Sequence, residues 1–427
     1  MKKSLVLFLA QLSLVFTSYA QTLSLIEQQL LKSIDADMPS TIQLLKESVN
    51  INSGTFNIVG VKKVGEMYGK ELAALGFTVE WVSMPDSLKR AGHLVATKKG
   101  NKGKKLFLIG HLDTVFEPDT PPNPFTMLND STATGQGIID MKGGDVMVIA
   151  ALKAMHKQGL LNDVSITVYF TGDEENTGQP TEISRADFIE RAKQHDVALA
   201  FESTVAIEKV TTARRGATKW ELVIDAQQGH SSLVWGKNGF GAIYEATRIV
   251  NEFREQLSLE PNITVNPGLF IGGSDINVNT TTQRGDASGK NNIISPKTFV
   301  LGDLRFLTET QKNNAQKMMF EIVSKNLNGA TAKIKFQDMI PAMAPTAGNE
   351  ALAKMFNNIS VELGYGDVKP DTKMGGGDVA FVAKYLDSID GIGAYGKGAH
   401  APGEVMFLNY YPKLIKKATL LIYRLTQ

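Results

Sequence analysis

Short apolar runs with strand character alternate with long segments of helical spacing along most of this chain. The runs include 106–109, 164–170 and 197–201, and the long segments include 23–49 and 141–158. Alternation of this kind favours parallel strands, because a parallel connection has to return from one end of the sheet to the other, usually through a helix. The pattern therefore predicts a layered α/β/α domain with a largely parallel sheet.

Residues 209–340 follow a different pattern, in which the order of elements is strand, helix, strand, strand, helix, strand. This is the order of a ferredoxin-like unit. The α/β pattern resumes after it, and a chain of 427 residues exceeds the roughly 250–300 residues at which one hydrophobic core stops growing. We therefore predict one domain built from 21–208 and 341–427, with 209–340 inserted as a second domain.

The first 20 residues, MKKSLVLFLAQLSLVFTSYA, combine two lysines, an apolar run and small residues before Gln21. This arrangement is typical of a cleaved secretory signal peptide and predicts an exported protein, periplasmic or secreted. A retained membrane anchor is the alternative, but the apolar run is short and contains Gln11 and Ser13. We therefore expect no stable membrane anchor.

The ionisable side chains restrict both the partners and the chemistry of the chain. With 45 basic and 44 acidic side chains there is no excess of positive charge, so no nucleic-acid partner is expected. There is no cysteine, which excludes disulfide bonds and thiolate metal ligands. Any bound metal ion must therefore be held by His, Asp and Glu side chains.

The motif GHLDTV directly follows the apolar run that ends at Ile109. His111 and Asp113 are two residues apart, so in an extended chain their side chains lie on the same face. Ligands of open α/β sheets bind at this end of the strands. We predict that His111 binds a metal ion and that Asp113 holds its other ring nitrogen. An ordinary surface His beside an ordinary Asp is the alternative that this motif alone leaves open.

Acidic residues recur at the same predicted edge of the sheet. Asp140 stands in a glycine-flanked motif before a predicted helix, where it has an alternative interpretation as the N-cap. Glu174 and Glu175 follow one predicted strand, and Glu202 follows the next. Several carboxylates at one edge would repel each other without cations. Their recurrence therefore indicates a metal centre.

His400, in the glycine-rich segment GKGAHAPGE, completes a predicted two-metal centre. Asp140 is predicted to bridge the ions, of which one also takes His111 and Glu202. The other ion takes Glu175 and His400. A small number of nitrogen and oxygen ligands favours zinc, with cobalt or manganese as substitutes.

Glu174 lies beside a predicted ligand but is assigned to neither ion, which leaves it free to act as the general base.

Together, the motifs H-x-D, G-x-x-D-M-K-G-G, E-E, the acidic residue after the next strand and G-A-H-x-P-x-E resemble the aminoacylase/carboxypeptidase family of dizinc hydrolases. These are M20-type metallopeptidases, and the motifs are most like those of the glutamate carboxypeptidases. The resemblance covers nearly all of the chain after the signal peptide. It implies that 21–208 and 341–427 form a zinc-peptidase catalytic domain, in which the Asp140–Met141 peptide is cis.

The resemblance also implies that 209–340 is a lid and dimerisation domain, so that the protein forms a homodimer. His230, in QGHSS, matches the histidine that reaches the partner subunit's active site and stabilises the oxyanion. His93, His156 and His195 have no motif around them and are expected to be surface or helix-packing residues.

Asn292 and Arg305 stand where the family's N-x-I-P and D-x-R patterns line the substrate cleft. An arginine pairs with a carboxylate through two hydrogen bonds, and the loop that contains Gly376 offers backbone donors to the same group. The resemblance thus implies a glutamate-type carboxypeptidase that releases a C-terminal amino acid from small peptides or N-acyl amino acids. An exposed Arg305 with no such role is the alternative.

Two other functions remain open from the sequence. An N-acyl amino acid deacylase or desuccinylase would use the same metal ligands, and Glu202 does not separate it from a carboxypeptidase. A dimeric binding protein without catalysis is the alternative from a different class, although Glu174 and all five predicted ligands are present.

Overall fold

The computed structural model describes residues 23–427, so the predicted signal peptide at 1–20 lies outside the described residues. No helix in this range is long and apolar enough to cross a membrane. The helices are α1 (Leu25–Val49), α2 (Ile58–Ala74), α3 (Lys142–Lys157), α4 (Thr181–Ser184), α5 (Ala186–Ala192), α6 (Ala242–Leu257), α7 (Glu309–Val323), α8 (Ala347–Glu362), α9 (Val379–Val382) and α10 (Tyr411–Leu425).

The strands are β1 (Thr78–Val82), β2 (His93–Lys98), β3 (Lys102–His111), β4 (Thr126–Asn129), β5 (Thr132–Thr134), β6 (Val164–Thr171), β7 (Val197–Ala200), β8 (Lys209–Arg214), β9 (Gly216–Ala226), β10 (Gly229–His230), β11 (Thr264–Gly273), β12 (Asp275–Asn279), β13 (Arg284–Ser288), β14 (Ile293–Ile294), β15 (Lys297–Phe306), β16 (Ala330–Ile340), β17 (Lys369–Lys373), β18 (Asp387–Ile389), β19 (Gly396–Lys397) and β20 (Val405–Phe407).

The central sheet has six strands in the order β1-β2-β6-β3-β7-β18. The strands β6, β3, β7 and β18 run parallel to one another, whereas β2 is antiparallel to both β1 and β6. The predicted parallel sheet is therefore present, with an antiparallel edge formed by β1 and β2. The parallel part carries the residues of the site described below.

Successive side chains of β3 pack in two different hydrophobic cores. Leu106 and Leu108 pack in the core that contains α1, α3 and α10, while Phe107 and Ile109 pack in the core that contains α5 and α9. Adjacent residues of a strand point to opposite faces, so an uninterrupted apolar run is what a sheet covered on both faces requires. The result is the predicted α/β/α layering.

The segment between β8 and α8 contains a second sheet, antiparallel throughout, in the order β11-β15-β9-β16. The helices α6 and α7 pack against it around a core that includes Trp220, Ile249, Phe253 and Met319. The elements of this sheet and its helices follow the predicted ferredoxin-like order. The role of this unit as a lid and dimerisation domain, and its limits at 209 and 340, stay predictions.

The sequence pattern did not indicate the smaller sheets, formed by β4, β5, β19 and β20, by β8 and β17, by β12 and β13, and by β10 and β14. Their strands are two to six residues long, which is too short for a hydrophobic period to be recognised. The pair β8 and β17 joins the first residues of the predicted insertion at 209–340 to a segment that follows it.

Candidate metal centre

The parallel strands explain why the predicted ligands converge. His111 is the last residue of β3 and lies opposite Thr171, the last residue of β6. Glu174 and Glu175 follow β6, and Glu202 follows β7, which is the other parallel neighbour of β3. The carboxyl ends of parallel strands meet at one edge of the sheet, so these side chains share that edge.

The five predicted ligands form two groups of three that share Asp140. The Nε2 atom of His111 lies 3.3 Å from Oδ1 of Asp140 and 3.6 Å from Oε1 of Glu202. The Nε2 atom of His400 lies 2.9 Å from Oδ2 of Asp140 and 3.2 Å from Oε2 of Glu175. Each oxygen of Asp140 thus faces one group, which is the arrangement of a bridging carboxylate.

These distances suit donor atoms that bind one metal ion in each group. Ligand atoms at about 2.0–2.1 Å from zinc are roughly 3.3 Å from each other. Nε2 of His111 and Oε1 of Glu175 are buried and have no hydrogen-bond partner among the described residues. Buried polar atoms without a partner are unfavourable unless a ligand binds them. The residues present therefore fit a dinuclear metal site.

The pKa shifts of the buried side chains also indicate a site for cations. Burial, together with the charge of Asp140, raises the pKa of Glu202 to about 7. Burial, together with the charge of Glu202, raises the pKa of Glu174 well above its usual range. Burial lowers the pKa of His111, but its hydrogen bonds to Asp113 and Asp140 outweigh this and raise it. Cations between these groups would remove the part of the carboxylate shifts that comes from mutual repulsion.

Asp113 contacts His111 in a different way from the one expected. Nδ1 of His111 is 3.0 Å from the backbone carbonyl of Asp113 and 3.5 Å from the carboxylate, so the carbonyl is the closer acceptor. The carboxylate instead accepts the backbone N–H of Glu174 at 3.0 Å and of Glu175 at 3.2 Å, and the hydroxyl of Thr55 at 2.7 Å. Asp113 therefore fixes the loop that follows β6 as well as the ring of His111.

Glu404 has a role that its motif alone did not indicate. Its buried carboxylate accepts the backbone N–H groups of Gly137 at 3.0 Å, Ile139 at 2.7 Å and Asp140 at 3.0 Å. It thereby ties the segment that carries His400 to the loop that carries Asp140. The peptide bond between Asp140 and Met141 is cis, which confirms the expectation from the sequence.

A pocket of about 350 Å³ opens beside the metal residues. Its lining includes Asp140, Glu174, Glu202, Ser203, Arg214, Lys373, Gly375, Gly376, Lys397 and His400. The volume is at the lower end of the range of small-molecule sites, roughly 300–1,000 Å³. Of the predicted substrate-binding residues, Gly376 lines this pocket.

Arg214 and Lys373 are pocket residues that the sequence analysis missed. Arg214 is buried, and its guanidinium donates to Asp390 and to the carbonyl of Gly376, while Nη2 has no partner among the described residues. Nζ of Lys373 donates to the carbonyl of Ser203 at 3.3 Å. Nothing in the sequence of β8 distinguishes Arg214, at its end, from the exposed Lys209 at its start.

His230 and Asn292 are neighbours within residues 209–340. His230 is paired in β10 with Ile293 of β14, and the carbonyl of Asn292 accepts the N–H of Ser231 at 2.9 Å. The ring of His230 is exposed, and its Nδ1 lies 2.8 Å from Oγ of Ser232. Within residues 23–427 of the same chain, neither side chain lines the metal pocket.

Arg305 lies in a neighbouring cavity rather than in the metal pocket. That cavity is lined by Lys219, Asn266, Gln283, Asp303 and Ile340, among others. The guanidinium of Arg305 donates to Asp303 at 2.6 Å. The side chain of Ile340 also lies close to Gly376, so this cavity lies next to a residue that lines the metal pocket.

The expectation that His93 is a surface or helix-packing residue is wrong. His93 is fully buried in β2, where Nδ1 accepts the N–H of Gly172 at 3.1 Å and Nε2 donates to the carbonyl of Ser184 at 3.2 Å. It therefore supports the start of the loop that carries Glu174.

Comparisons with known proteins agree with this geometry. The family model of peptidase family M20/M25/M40 matches residues 107–424. Carboxypeptidase G2 of Pseudomonas sp. (strain RS-16) is 28% identical over 90% of this chain and 89% of its own length. A succinyl-diaminopimelate desuccinylase of Pelagibacter ubique is 22% identical over 88% of this chain and 96% of its own length.

Among solved structures, the YXEP protein of Bacillus subtilis, described as a dinuclear metal binding peptidase of the M20 family, has a TM-score of 0.64. The match covers 91% of this chain and 98% of that protein at 13% identity, and it shows a common fold.

Proposed function

The chain belongs to peptidase family M20/M25/M40, and from this membership and the geometry of its metal centre we propose a dizinc, glutamate-type carboxypeptidase. The enzyme would release a C-terminal amino acid from small peptides or N-acyl amino acids. The observation that carries the proposal is the pair of three-ligand groups that share Asp140, with Glu174 beside them in a pocket that also contains cations. The similarity to a carboxypeptidase over most of both chains supports release from the C-terminus.

The proposed metal is zinc, held by His111, Asp140 and Glu202 on one side and by Asp140, Glu175 and His400 on the other. Cobalt or manganese would be substitutes that accept the same nitrogen and oxygen donors. When bound, the two ions would lower the pKa of a shared water molecule and polarise the scissile carbonyl group.

Glu174 is the proposed general base and acid. Its carboxylate takes a proton from the attacking water and then delivers it to the departing amine. Burial raises the pKa of Glu174, which suits a group that has to hold a proton between these two steps. The hydrogen bond from its backbone N–H to Asp113 fixes the position from which it acts.

The cations of the pocket are the proposed binding site for the free carboxylate of the substrate. Arg214 offers a buried Nη2 without a partner in residues 23–427, and Lys373 lines the same pocket. Arg305, in the cavity that Ile340 also lines beside Gly376, is proposed as a second carboxylate contact, with Asn292 and the loop at Gly376. A charge-assisted pair with arginine is specific for a planar carboxylate.

We further propose a homodimer in which His230 stabilises the oxyanion in the partner subunit's site. His230 is exposed in its own chain and does not line the metal pocket there, so it is accessible to a second copy. Export through the signal peptide at 1–20 is part of the same proposal and rests on its sequence alone.

An N-acyl amino acid deacylase, such as a desuccinylase, is the second candidate. It is favoured by the similarity to a succinyl-diaminopimelate desuccinylase, which covers most of both chains. A desuccinylase substrate carries a carboxylate on the acyl side of the scissile bond, and the pocket cations suit that group as well. A binding protein without catalysis is disfavoured because Glu174 is present with every predicted ligand.

One experiment separates these functions. The protein without its signal segment is loaded with zinc, its metal content is measured, and it is assayed on dipeptides, N-acetyl and N-succinyl amino acids, and C-terminally amidated peptides. The proposal predicts two ions per chain and the highest kcat/KM on substrates with a free C-terminal glutamate. Preference for N-succinyl amino acids with little peptide cleavage would favour the deacylase, and binding without turnover would favour the non-catalytic protein.

A further inference from the structure

A fully buried arginine, Arg185, lies between two loops that each contribute residues to the metal pocket. Arg185 stands at the start of α5 and has no solvent exposure. Its Nη1 donates to Oδ1 of Asp173 at 2.5 Å, and its Nε donates to Oδ1 of Asp378 at 2.8 Å. The two carboxylates are separated by more than 200 positions in sequence, so this guanidinium joins distant segments of the chain.

The first of these segments is the acidic loop, residues 172–178, which carries Glu174 and Glu175. The second carboxylate oxygen of Asp173 accepts the N–H of Gly178 at 2.8 Å and the hydroxyl of Ser184 at 2.7 Å. Nη2 of Arg185 also donates to the backbone carbonyl of Asp173 at 3.2 Å. Arg185 and Asp173 thus hold both ends of the acidic loop.

The second segment is the glycine loop, residues 375–378, of which Gly375 and Gly376 line the metal pocket. Asp378 ends this loop, and its other carboxylate oxygen accepts the hydroxyl of Thr171 at 2.5 Å. Glycines restrain the backbone weakly, so a loop of three of them keeps one position only if its neighbours fix it. The contacts of Asp378 with Arg185 and Thr171 provide such a fixed point.

A buried ion pair is costly to desolvate, and hydrophobic side chains of similar volume often stabilise a protein as well or better. Stability is therefore a weak explanation for two carboxylates and a guanidinium that are buried together. A planar guanidinium that donates in two directions does, however, fix the relative position of its two acceptors.

We propose that Arg185 is a positioning residue that holds the acidic loop and the glycine loop in one relative position, so that Glu174 and the pocket wall at Gly376 face the same substrate. Arg185 lines no part of the pocket and acts through Asp173 and Asp378. The proposal rests on the proposed function for the role of Glu174, but the joining of the two loops can be tested without a substrate.

The variants are Arg185→Lys and Asp378→Asn. Lysine keeps the charge but lacks the planar group that reaches both carboxylates, and asparagine keeps the shape of Asp378 and an acceptor for Thr171. Arg191→Lys is the matched control, because Arg191 lies in α5, which begins directly after Arg185 in the chain, and also binds two carboxylates, those of Glu80 and Asp187, but is partly exposed.

The first measurement is amide hydrogen exchange of the metal-loaded protein, followed by mass spectrometry. We expect faster exchange in both 172–180 and 374–381 for Arg185→Lys and for Asp378→Asn, and in neither segment for the control. Because no substrate is used, this result is independent of the proposed function. Faster exchange in only one of the two loops would overturn the proposal.

The second measurement is the kinetics of the same samples at full metal content, on the substrate that the unaltered enzyme cleaves. Displacement of a catalytic group by about 1 Å costs up to a hundredfold in rate, so we expect kcat to fall about tenfold or more in both variants. A kcat within twofold of the unaltered enzyme would overturn the proposal. If Arg185→Lys does not fold, Asp378→Asn alone tests the proposal. If Asp378→Asn also fails to fold, or fails to bind two ions, the network has a structural role and the proposal is overturned. Inactivity of the unaltered enzyme would count against the proposed function alone.

Discussion

The carboxylate of Asp113 accepts the backbone N–H of Glu174 at 3.0 Å. Since its other oxygen accepts the N–H of Glu175 at 3.2 Å, one side chain positions both the proposed base and a proposed metal ligand. The carbonyl of Asp113 also holds the ring of His111. Asp113 is thus the point at which the ends of β3 and β6 are joined around the metal centre.

Asp113→Asn should therefore affect both metal binding and turnover. The side-chain amide of asparagine replaces one acceptor oxygen with an NH2 group. That group cannot accept the backbone N–H that faces it, so one of the two hydrogen bonds is lost. We expect metal affinity to fall roughly 10–100-fold, as for other residues that hold metal ligands. Competition with a chelator measures the affinity, and Asp119→Asn, an exposed change a few residues away, is the control. Unaltered affinity together with unaltered kcat would remove this role from Asp113.

Arg305→Ala tests whether this residue binds the substrate carboxylate. We expect kcat/KM to fall about tenfold or more for substrates with a free C-terminal carboxylate, and to change little for their amidated counterparts, because a charge-assisted hydrogen bond is lost only in the first case. Lys219→Ala removes another cation of the same cavity and is the control. An equal loss on both kinds of substrate would place Arg305 outside carboxylate recognition and leave that role to Arg214 and Lys373.

His230 is expected to act across the proposed dimer. When subunits with His230→Ala are mixed with subunits with Glu174→Ala, one of the two hybrid sites receives both intact residues and should regain activity. Exchange of subunits is verified with differently tagged chains. Hybrids that form and stay inactive would show that His230 serves its own subunit or takes no part in catalysis.

Lys417 gives a prediction about pH and stability that is independent of the metal centre. Burial lowers the pKa of Lys417 from 10.5 to about 8, although the charge of Glu208 opposes the shift. Between these two pH values the unfolded chain binds the proton and the folded chain does not, so the free energy of unfolding rises with pH in this window. Below pH 8 the folded protein carries a buried charge at full cost.

Lys417→Met should therefore raise the free energy of unfolding at pH 7 by roughly 1–3 kcal/mol. The advantage should shrink as the pH rises from 8 towards 10.5. Urea unfolding at fixed metal concentration and several pH values measures it, and Lys413→Met, an exposed change in the same helix, is the control. A difference that does not vary with pH would show that the effect is one of packing and not of charge.

The sequence predicted that the proposed ligands would lie close together, because their positions follow from local patterns. His111, Glu175 and Glu202 each follow a recognisable apolar strand, and parallel strands bring such positions to one edge. The layered fold could be predicted for the same reason. The small sheets could not, since their strands are too short to show a period.

The contacts that support the site could not be read from the sequence because they join distant segments. Glu404 binds backbone groups more than 260 positions away, and Arg185 reaches Asp378 across 193 positions. Arg214 enters the pocket only because β8 lies beside β17 and the glycine loop. Neither residue type nor local spacing distinguishes these charged residues from ordinary surface ones.

The most direct test of the account is the rate and metal content of Glu174→Gln, measured on the same sample. Glu174 belongs to neither three-ligand group, so the variant should retain two ions per chain. Because glutamine cannot transfer the proton, kcat should fall at least about a thousandfold. Glu66→Gln, a change outside the pocket, controls for the substitution itself. Two bound ions with almost no turnover would be the predicted result, and near-normal turnover at full metal content would contradict the proposed mechanism.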